Sequence, residues 1–338
     1  MINTESKFGL NYLEGSILKD GISKIYKDYH DKVEAIVKEW LASGIDQVYF
    51  VGCGGSRAIM EPVKLILDKY SSIPADAYTG WEFVNRAPER LNERAAVVLA
   101  SHSGTTEEVL KSLDLAKERG AKTISFSLND TPLQKGAENS LVYNTPAVNL
   151  AKLFMSYLVT TQLVIQSGNK AFGEELWQAL SALPEKLQEI INVTEERGKA
   201  LAKQYKDKKG YYLVATGMLA GLAYQFKVCT LLEMQWIHAS HINAGEFRHG
   251  PFEIVEEGQP MIFLLGTDES RPVAERALNF ANRYKADTIV FDLKELPEIH
   301  PYLAPFGVHI ALQWFAWHLA QERDHPLPTR RYMWKVEY

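Results

Sequence analysis

The feature that most constrains the fold is a repeated alternation of short apolar runs and longer amphipathic stretches. The runs AAVVLA (95–100) and TISFSL (123–128) have no polar face, which is typical of strands covered on both sides. Residues 26–43 have the apolar spacing of a helix, and so does the stretch that follows the first run. Alternating strands and helices predict a parallel sheet with helices on both faces, a flavodoxin-like or Rossmann-like three-layer α/β sandwich.

The same pattern begins again near residue 209. The segment KGYYLVATGMLAG (209–221) is predicted as strand, glycine turn and helix, and it corresponds to DQVYFVGCGGS (46–56) earlier in the chain. A chain of 338 residues has room for two such domains. We expect them to be packed rather than loosely tethered, because no segment is of low complexity or rich in proline. The expected divisions are an N-terminal extension at 1–34, a first subdomain at 35–172, connecting helices at 173–207 and a second subdomain at 208–338.

Composition excludes several classes of protein. The chain has 37 lysine and arginine residues against 42 aspartate and glutamate residues, a net charge of −5 that argues against broad binding to nucleic acid or to anionic membranes. Two cysteines, Cys53 and Cys229, cannot form a disulfide framework. The first residues contain acids instead of a secretory core, and no window reaches about 18 uninterrupted apolar residues. The expectation is a cytoplasmic protein with no nucleic-acid or membrane partner.

Four hydroxyl side chains lie together in the segment SHSGTTEEVL. A strand ends at its first serine, a turn follows at Gly104, and a helix opens at the two threonines. Hydroxyls and free backbone amides at the positive end of a helix suit a phosphate dianion. The alternative is that Ser103 or Thr105 only caps the helix. Spacing leaves both interpretations open. The hydroxyls belong to Ser101, Ser103, Thr105 and Thr106.

A second glycine-rich turn, GCGGSRA, follows the first predicted strand. It is not a dinucleotide-binding fingerprint, because Arg57 stands where the third glycine would be, and it is not a P-loop, because no Gly-Lys-Ser/Thr follows. Gly54 and Gly55 let the chain turn tightly, and Ser56 is placed to donate to a ligand at the sheet edge where α/β proteins bind them. Cys53 is interpreted as a small buried filler, since no motif supplies it with a base.

The third cluster, LLEMQWIHASHINAGEFRHGPFEI, contains three histidines and three glutamates. The spacing of His238, His241 and His249 with Glu246 matches no familiar metal site. Glu233 stands in an otherwise apolar stretch, so it is either the partner of a buried donor or a base with a raised pKa. The Gly-Pro pair after His249 predicts a turn that holds its imidazole at the end of an irregular loop.

Taken together, the three clusters resemble the sugar isomerase (SIS) domain family. The resemblance rests on SHSGTTEE, on GCGGS and on a glutamate and a histidine, sixteen positions apart in the printed sequence, that end in GEFRHGP. The resemblance covers about residues 35–338. The chain is also similar to the isomerase half of glucosamine-6-phosphate synthase. The chain is most similar to the fructosamine-6-phosphate deglycases, through the segments EMQWIH, GEFRHGPFEI, DESRPVAERALNF and RRYMWKVEY.

The resemblance implies two tandem SIS subdomains and a role for each matching residue. The family's proton-transferring glutamate falls on Glu233. Its ring-opening histidine falls on His249, which in these isomerases comes from the neighbouring subunit, so a homodimer or higher homo-oligomer with a shared site is implied. The implied substrate is a phosphorylated sugar amine, with no cofactor and no metal. The implied phosphate-binding and sugar-binding residues are Ser56, Ser101, His102, Ser103 and Thr106. The implied supporting residues are Gly54, Gly55, Gly104, Glu246, Tyr332 and Lys335.

The sequence departs from the synthase in ways that favour a deglycase. It contains no counterpart of the glutamine amidotransferase domain that supplies ammonia. The synthase's C-terminal Schiff-base lysine is replaced by Tyr332, with Lys335 only nearby, and Thr230 replaces a lysine just before the catalytic glutamate. An Amadori compound already contains its nitrogen, so it needs no lysine to capture the ketone. The predicted reaction converts a fructose–amino acid 6-phosphate into glucose 6-phosphate and the free amino acid.

Two other functions stay open on the sequence. A phosphosugar aldose–ketose isomerase or a glucosamine-6-phosphate deaminase would use the same glutamate and phosphate loop. A non-catalytic sugar-phosphate regulator is a third possibility, against which stand the presence of Glu233 and His249 and the lack of a DNA-binding segment. The motifs do not identify the amine that is released.

Overall fold

A computed structural model describes residues 7–337; the first six residues of the predicted N-terminal extension and Tyr338 lie outside the described range. The chain divides into two compact units, one of them Ile17–Pro184 and the other formed by the residues before and after it. The division falls inside helix α8, so residues 173–207, predicted as connecting helices, belong to one long helix for most of their length. Helix α1 begins at Ile17, within the segment predicted as an extension.

The unit Ile17–Pro184 contains a five-stranded sheet, all of whose strands are parallel, in the order β2-β1-β3-β4-β5. Every residue of β1 and β3 is buried, as their lack of a polar face predicts. Tyr49, Val51 and Leu99 pack with α4 and α5 on one face of the sheet. The elements are α1 (Ile17–Ala42), β1 (Gln47–Gly52), α2 (Gly55–Ala58), α3 (Glu61–Tyr70), β2 (Ala75–Tyr78), α4 (Gly80–Arg86), β3 (Ala95–Ala100), α5 (Glu107–Glu118), β4 (Lys122–Ser127), α6 (Pro132–Gly136), β5 (Asn139–Val142), α7 (Val148–Ser167) and the start of α8 (Lys170–Tyr205).

Helix α7 is long and apolar enough to cross a membrane by length and composition, and it is the one helix within residues 7–337 that passes this test. Its most apolar window is 83% buried inside the protein. Burial of that extent is typical of a helix in the core of a globular domain.

The second unit contains a four-stranded parallel sheet in the order β7-β6-β8-β9. Alternate residues of β6 enter two different apolar clusters: Leu213 packs with Phe315 of α11, and Val214 packs with Ala277 of α10. Helices therefore cover both faces, and the predicted α/β sandwich is confirmed in each unit. The elements are β6 (Gly210–Ala215), α9 (Ala220–Gln225), a π-helix (Phe226–Met234), β7 (His238–Asn243), β8 (Pro260–Leu265), α10 (Arg271–Arg283), β9 (Asp287–Asp292) and α11 (Ala304–Glu322).

Candidate active site

The two hydroxyl-bearing loops of the unit Ile17–Pro184 begin side by side. Gly52 at the end of β1 is opposite Ala100 at the end of β3 in the register of the sheet. The strand order reverses between these two strands, and ligands of open α/β sheets bind in the crevice that forms at such a point. The sheet thus brings Ser56 and the loop after Ser101 to one edge, as the sequence predicted from the strands alone.

The loop after β3 is shaped by its own hydroxyls. The buried Ser101 Oγ accepts a hydrogen bond from the Gly104 amide at 3.1 Å and lies 2.7 Å from Thr106 Oγ1. Ser103 Oγ, which is exposed, accepts a 2.9 Å hydrogen bond from Thr105 Oγ1. Gly104 has a φ of +63°, and a Cβ there would overlap the Thr131 hydroxyl, so only glycine fits.

Helix α5 begins at Glu107 without a side-chain cap. Thr106 is its N-cap residue, and no side chain makes a capping hydrogen bond there. Neither Ser103 nor Thr105 therefore has the capping role that the sequence left open. An uncapped first turn leaves amide donors at the positive end of the helix dipole, beside the exposed hydroxyls, where an anion is stabilised.

A buried lysine lies behind Ser56. Lys152 of α7 is 2% exposed, and its Nζ donates a 2.6 Å hydrogen bond to Ser56 Oγ. Because Ser56 accepts from the ammonium group, its own hydroxyl proton is free to point to a ligand. The sequence analysis missed Lys152, although a lysine inside the apolar run NLAKLFMSYLV was a signal of the same kind as Glu233.

His102, the remaining residue of the predicted phosphate group, adds no positive charge. Its Nδ1 lies 3.0 Å from the hydroxyl of Tyr143. Burial, and to a lesser extent the positive charge of Lys152, lower the pKa of His102 below its usual value. The imidazole is therefore neutral at neutral pH, and the charge behind the loops is that of the lysine.

Removing two hydroxyls of the loop should weaken phosphate binding. We expect the Ser101→Ala, Ser103→Ala double variant to raise KM for a sugar 6-phosphate about 10-fold or more. The phosphate loses the hydrogen bond from Ser103, and a hydrogen bond to a charged group contributes roughly 1.5–3 kcal/mol, while the loop loses the hydrogen bonds of Ser101 that shape it. The control is Ser43→Ala with Ser72→Ala, two exposed serines elsewhere in the same unit. Steady-state kinetics measure the change. If an unphosphorylated substrate competes as well as the phosphorylated one, the loops do not bind phosphate.

Glu233 lies in the other unit, in the last turn of the π-helix. It lines a cleft of about 640 Å³, and its carboxylate makes a 2.6 Å ion pair with Arg330 of the C-terminal segment. The apolar surroundings predicted for it exist on one side only: Leu231 is buried, whereas Leu232 and Trp236 are exposed. The ion pair fits the first of the two interpretations, a carboxylate that partners a part-buried donor, and the same side chain also faces the cleft.

Two C-terminal residues named from the sequence differ in position. Tyr332 lines the cleft together with Glu233, and its side chain is exposed. Lys335 is not among the cleft residues, and its Nζ donates a 2.6 Å hydrogen bond to the Arg330 carbonyl. The contribution of Arg330 was missed, because nothing local in RRYMWKVEY indicates which arginine meets a carboxylate.

His249 lies on an exposed turn and is not among the residues that line the cleft of Glu233. Its amide donates a 2.8 Å hydrogen bond to the carbonyl of Glu246, whose side chain is also exposed. Across residues 7–337, no three histidine, cysteine or carboxylate side chains lie close enough together to hold a metal ion. Cys53, in the first unit, is part-buried, and burial raises the pKa of its thiol, as fits a packing residue.

Comparison with known proteins identifies the family. A family model described as the SIS domain matches residues 43–167. Fructosamine deglycase FrlB of Bacillus subtilis (strain 168) is 38% identical over 319 residues, which are 91% of this chain and 97% of that protein. The chain belongs to the SIS domain family. A second SIS relative, fructoselysine 6-phosphate deglycase of Escherichia coli (strain K12), is 35% identical and covers 96% of both chains.

A solved structure agrees with this assignment. The crystal structure of a Bacillus subtilis protein superposes with a TM-score of 0.85 at 37% identity, covering 94% of this SIS chain and all of that one. The predicted resemblance to the SIS family, drawn from the two glycine and hydroxyl turns and the GEFRHGP segment, is therefore confirmed.

Proposed function

We propose that this SIS protein is a fructosamine-6-phosphate deglycase, which cleaves a 6-phosphorylated Amadori compound into glucose 6-phosphate and a free amine. The observation that carries the proposal is the match, over nearly the whole chain, to two relatives named as a fructosamine deglycase and a fructoselysine 6-phosphate deglycase. The site residues support it, because one unit contains a hydroxyl-lined anion site and the other a carboxylate that lines a cleft.

Each step follows from ordinary acid–base chemistry. His249 assists opening of the sugar ring, which frees the C2 ketone. Glu233 removes a proton from C1 to give an enaminol, and protonation at C2 then leaves an imine between C1 and the nitrogen. Water adds to that imine, the C1–N bond breaks, and glucose 6-phosphate and the amine are released. General acid–base catalysis of this kind typically contributes about 100- to 10,000-fold.

The residues of the phosphate loops hold the substrate while its protons move. Ser56, Ser103 and the amides at the start of α5 donate to the 6-phosphate, and Lys152 supplies the positive charge behind them. Ser101 and Thr106 keep the loop in shape through their mutual hydrogen bond. No lysine needs to capture the ketone, which agrees with Tyr332 and Thr230 standing where the synthase has lysines.

The assembly is part of the proposal. His249 is exposed on a turn outside the cleft that Glu233 lines, which is the arrangement expected if the imidazole serves the site of another subunit. We therefore propose a homodimer or higher homo-oligomer in which Glu233 and His249 of different copies meet. We also propose that the enzyme acts in the cytoplasm, where phosphorylated sugars are found.

A substrate panel tests the function. We expect the purified protein to release glucose 6-phosphate and lysine from fructoselysine 6-phosphate. A coupled assay for glucose 6-phosphate measures this release. The unphosphorylated fructosamine serves as the control. Interconversion of glucose 6-phosphate and fructose 6-phosphate, or release of ammonia from glucosamine 6-phosphate, without any cleavage of fructosamines, would replace the proposal with an isomerase or a deaminase.

A further inference from the structure

The cleft that holds Glu233 has one positive charge more than negative charge. Its charged lining residues are Glu233, Arg330 and Arg331. Arg330 is paired with Glu233 at 2.6 Å, so their charges offset one another. Arg331 makes no ion pair with any carboxylate among residues 7–337. The cleft therefore favours a ligand that brings a negative charge to Arg331.

Arg331 is held in a way that keeps its donors available. The centre of its guanidinium lies 4.2 Å from the centroid of the Trp236 ring. A guanidinium stacked on an aromatic face keeps its N–H groups free in its own plane, where they match the two oxygens of a carboxylate. The stacking also reduces the freedom that a long exposed side chain loses when it binds.

Trp236 is itself fixed in an unusual backbone conformation. Its φ is +54°, a region that bulky side chains rarely adopt. The residues around it hold the turn: the buried Gln235 donates to the His325 carbonyl at 2.9 Å, and the Ile237 amide donates to the Leu231 carbonyl at 2.8 Å. The indole and the His325 ring pack edge to face, with their centroids 4.5 Å apart. Trp236, on which Arg331 stacks, therefore lies in the turn that directly follows Glu233.

We propose that Arg331 binds the carboxylate of the amino acid that the deglycase releases, and so selects fructosamines of amino acids over those of simple amines. This inference rests on the proposed function, since it assigns a substrate group to the cleft of Glu233. The exposed apolar side chains of Leu232, Trp236 and Met333 line the same cleft and contact the carbon chain between the nitrogen and the carboxylate. Arg331 is a specificity residue, and Arg330 remains the partner of the base.

Pairs of substrates that differ by one carboxylate test the proposal. The 6-phosphates of fructose-glycine and fructose-methylamine form the short pair, and those of fructose-aminohexanoate and fructose-pentylamine form the long pair. We expect the wild type to prefer the carboxylated member of at least one pair by about 10- to 100-fold in kcat/KM, the range for charge-assisted hydrogen bonds. Arg331→Gln should remove that preference and leave kcat/KM for the member without a carboxylate unchanged. Arg331→Lys should keep part of the preference.

The matched control is Arg283→Gln, which removes an exposed arginine of α10 that does not line this cleft. It should keep the full preference. If Arg331→Gln lowers kcat/KM equally for both members of a pair, Arg331 binds the phosphate or supports the fold, and the proposal is wrong. A wild type that cleaves both members equally well also overturns it but leaves the deglycase function standing. If the wild type cleaves fructoselysine 6-phosphate but no member of either pair, groups other than the carboxylate select the amine and this inference is wrong. If it cleaves none of these compounds, the function fails and this inference fails with it.

Discussion

Replacing Glu233 by glutamine is expected to lower kcat by about 100- to 10,000-fold, the contribution of a positioned general base. The amide has nearly the shape of the carboxylate and can still accept a hydrogen bond from Arg330, but it cannot take a proton from C1. KM should change little, because the phosphate loops lie in the other unit. Steady-state assays on fructoselysine 6-phosphate measure both constants.

A control variant at another glutamate shows whether the loss of activity comes from the catalytic role of Glu233 or from the loss of one negative charge. Glu257→Gln removes an exposed glutamate whose 3.5 Å ion pair with Lys285 is open to solvent, and it should keep full activity. Thermal unfolding followed by circular dichroism shows whether Glu233→Gln keeps the fold, since Arg330 is only 9% exposed and loses a charged partner. A folded Glu233→Gln protein with near-normal kcat would remove Glu233 from the mechanism.

The second large expected effect is a loss of activity in His249→Ala that mixing with the Glu233→Gln protein should partly reverse. His249→Ala should lower kcat by about 100-fold or more, because ring opening loses its acid–base group. If Glu233 and His249 of different copies meet, a heterodimer of Glu233→Gln and His249→Ala chains contains one site with both native residues. Mixing the two inactive proteins under conditions of subunit exchange should then restore up to about half of the activity of a wild-type dimer in each heterodimer.

The alternative has an equally clear result. If the segment after Glu233 returned His249 to the same chain's cleft, every heterodimer would have one defect in each site. Heterodimers isolated with two different affinity tags would then be as inactive as their parents. That outcome would refute the shared site while leaving the role of each residue intact.

The sequence predicted those features of the fold that depend on residues close together along the chain. AAVVLA and TISFSL identified strands because a strand buried on both faces needs apolar residues at every position, and Gly104 was recognised at a turn that has room for glycine alone. A parallel sheet also predicts that Ser56 and Ser101 follow strand ends at the same edge, and the register of β1 and β3 agrees.

What the sequence could not predict depends on contacts between distant segments. Ser56 and Lys152 are 96 residues apart, and their hydrogen bond exists only because α7 packs against the turn after β1. Arg330 meets Glu233 in the same manner, through the path of the C-terminal segment. The left-handed backbone of Trp236 is set by the hydrogen bonds of its neighbours, since a tryptophan gives no local preference for it.

The burial of Lys152 determines how the enzyme responds to ionic strength. A lysine at the protein surface is screened by dissolved ions over a Debye length of about 8 Å at physiological salt, so a site built from surface lysines weakens as salt rises. Lys152 lies inside the protein and donates to the Ser56 hydroxyl. If the loops bind phosphate as proposed, binding of the sugar phosphate should weaken less as salt rises than it would at a site built from surface lysines.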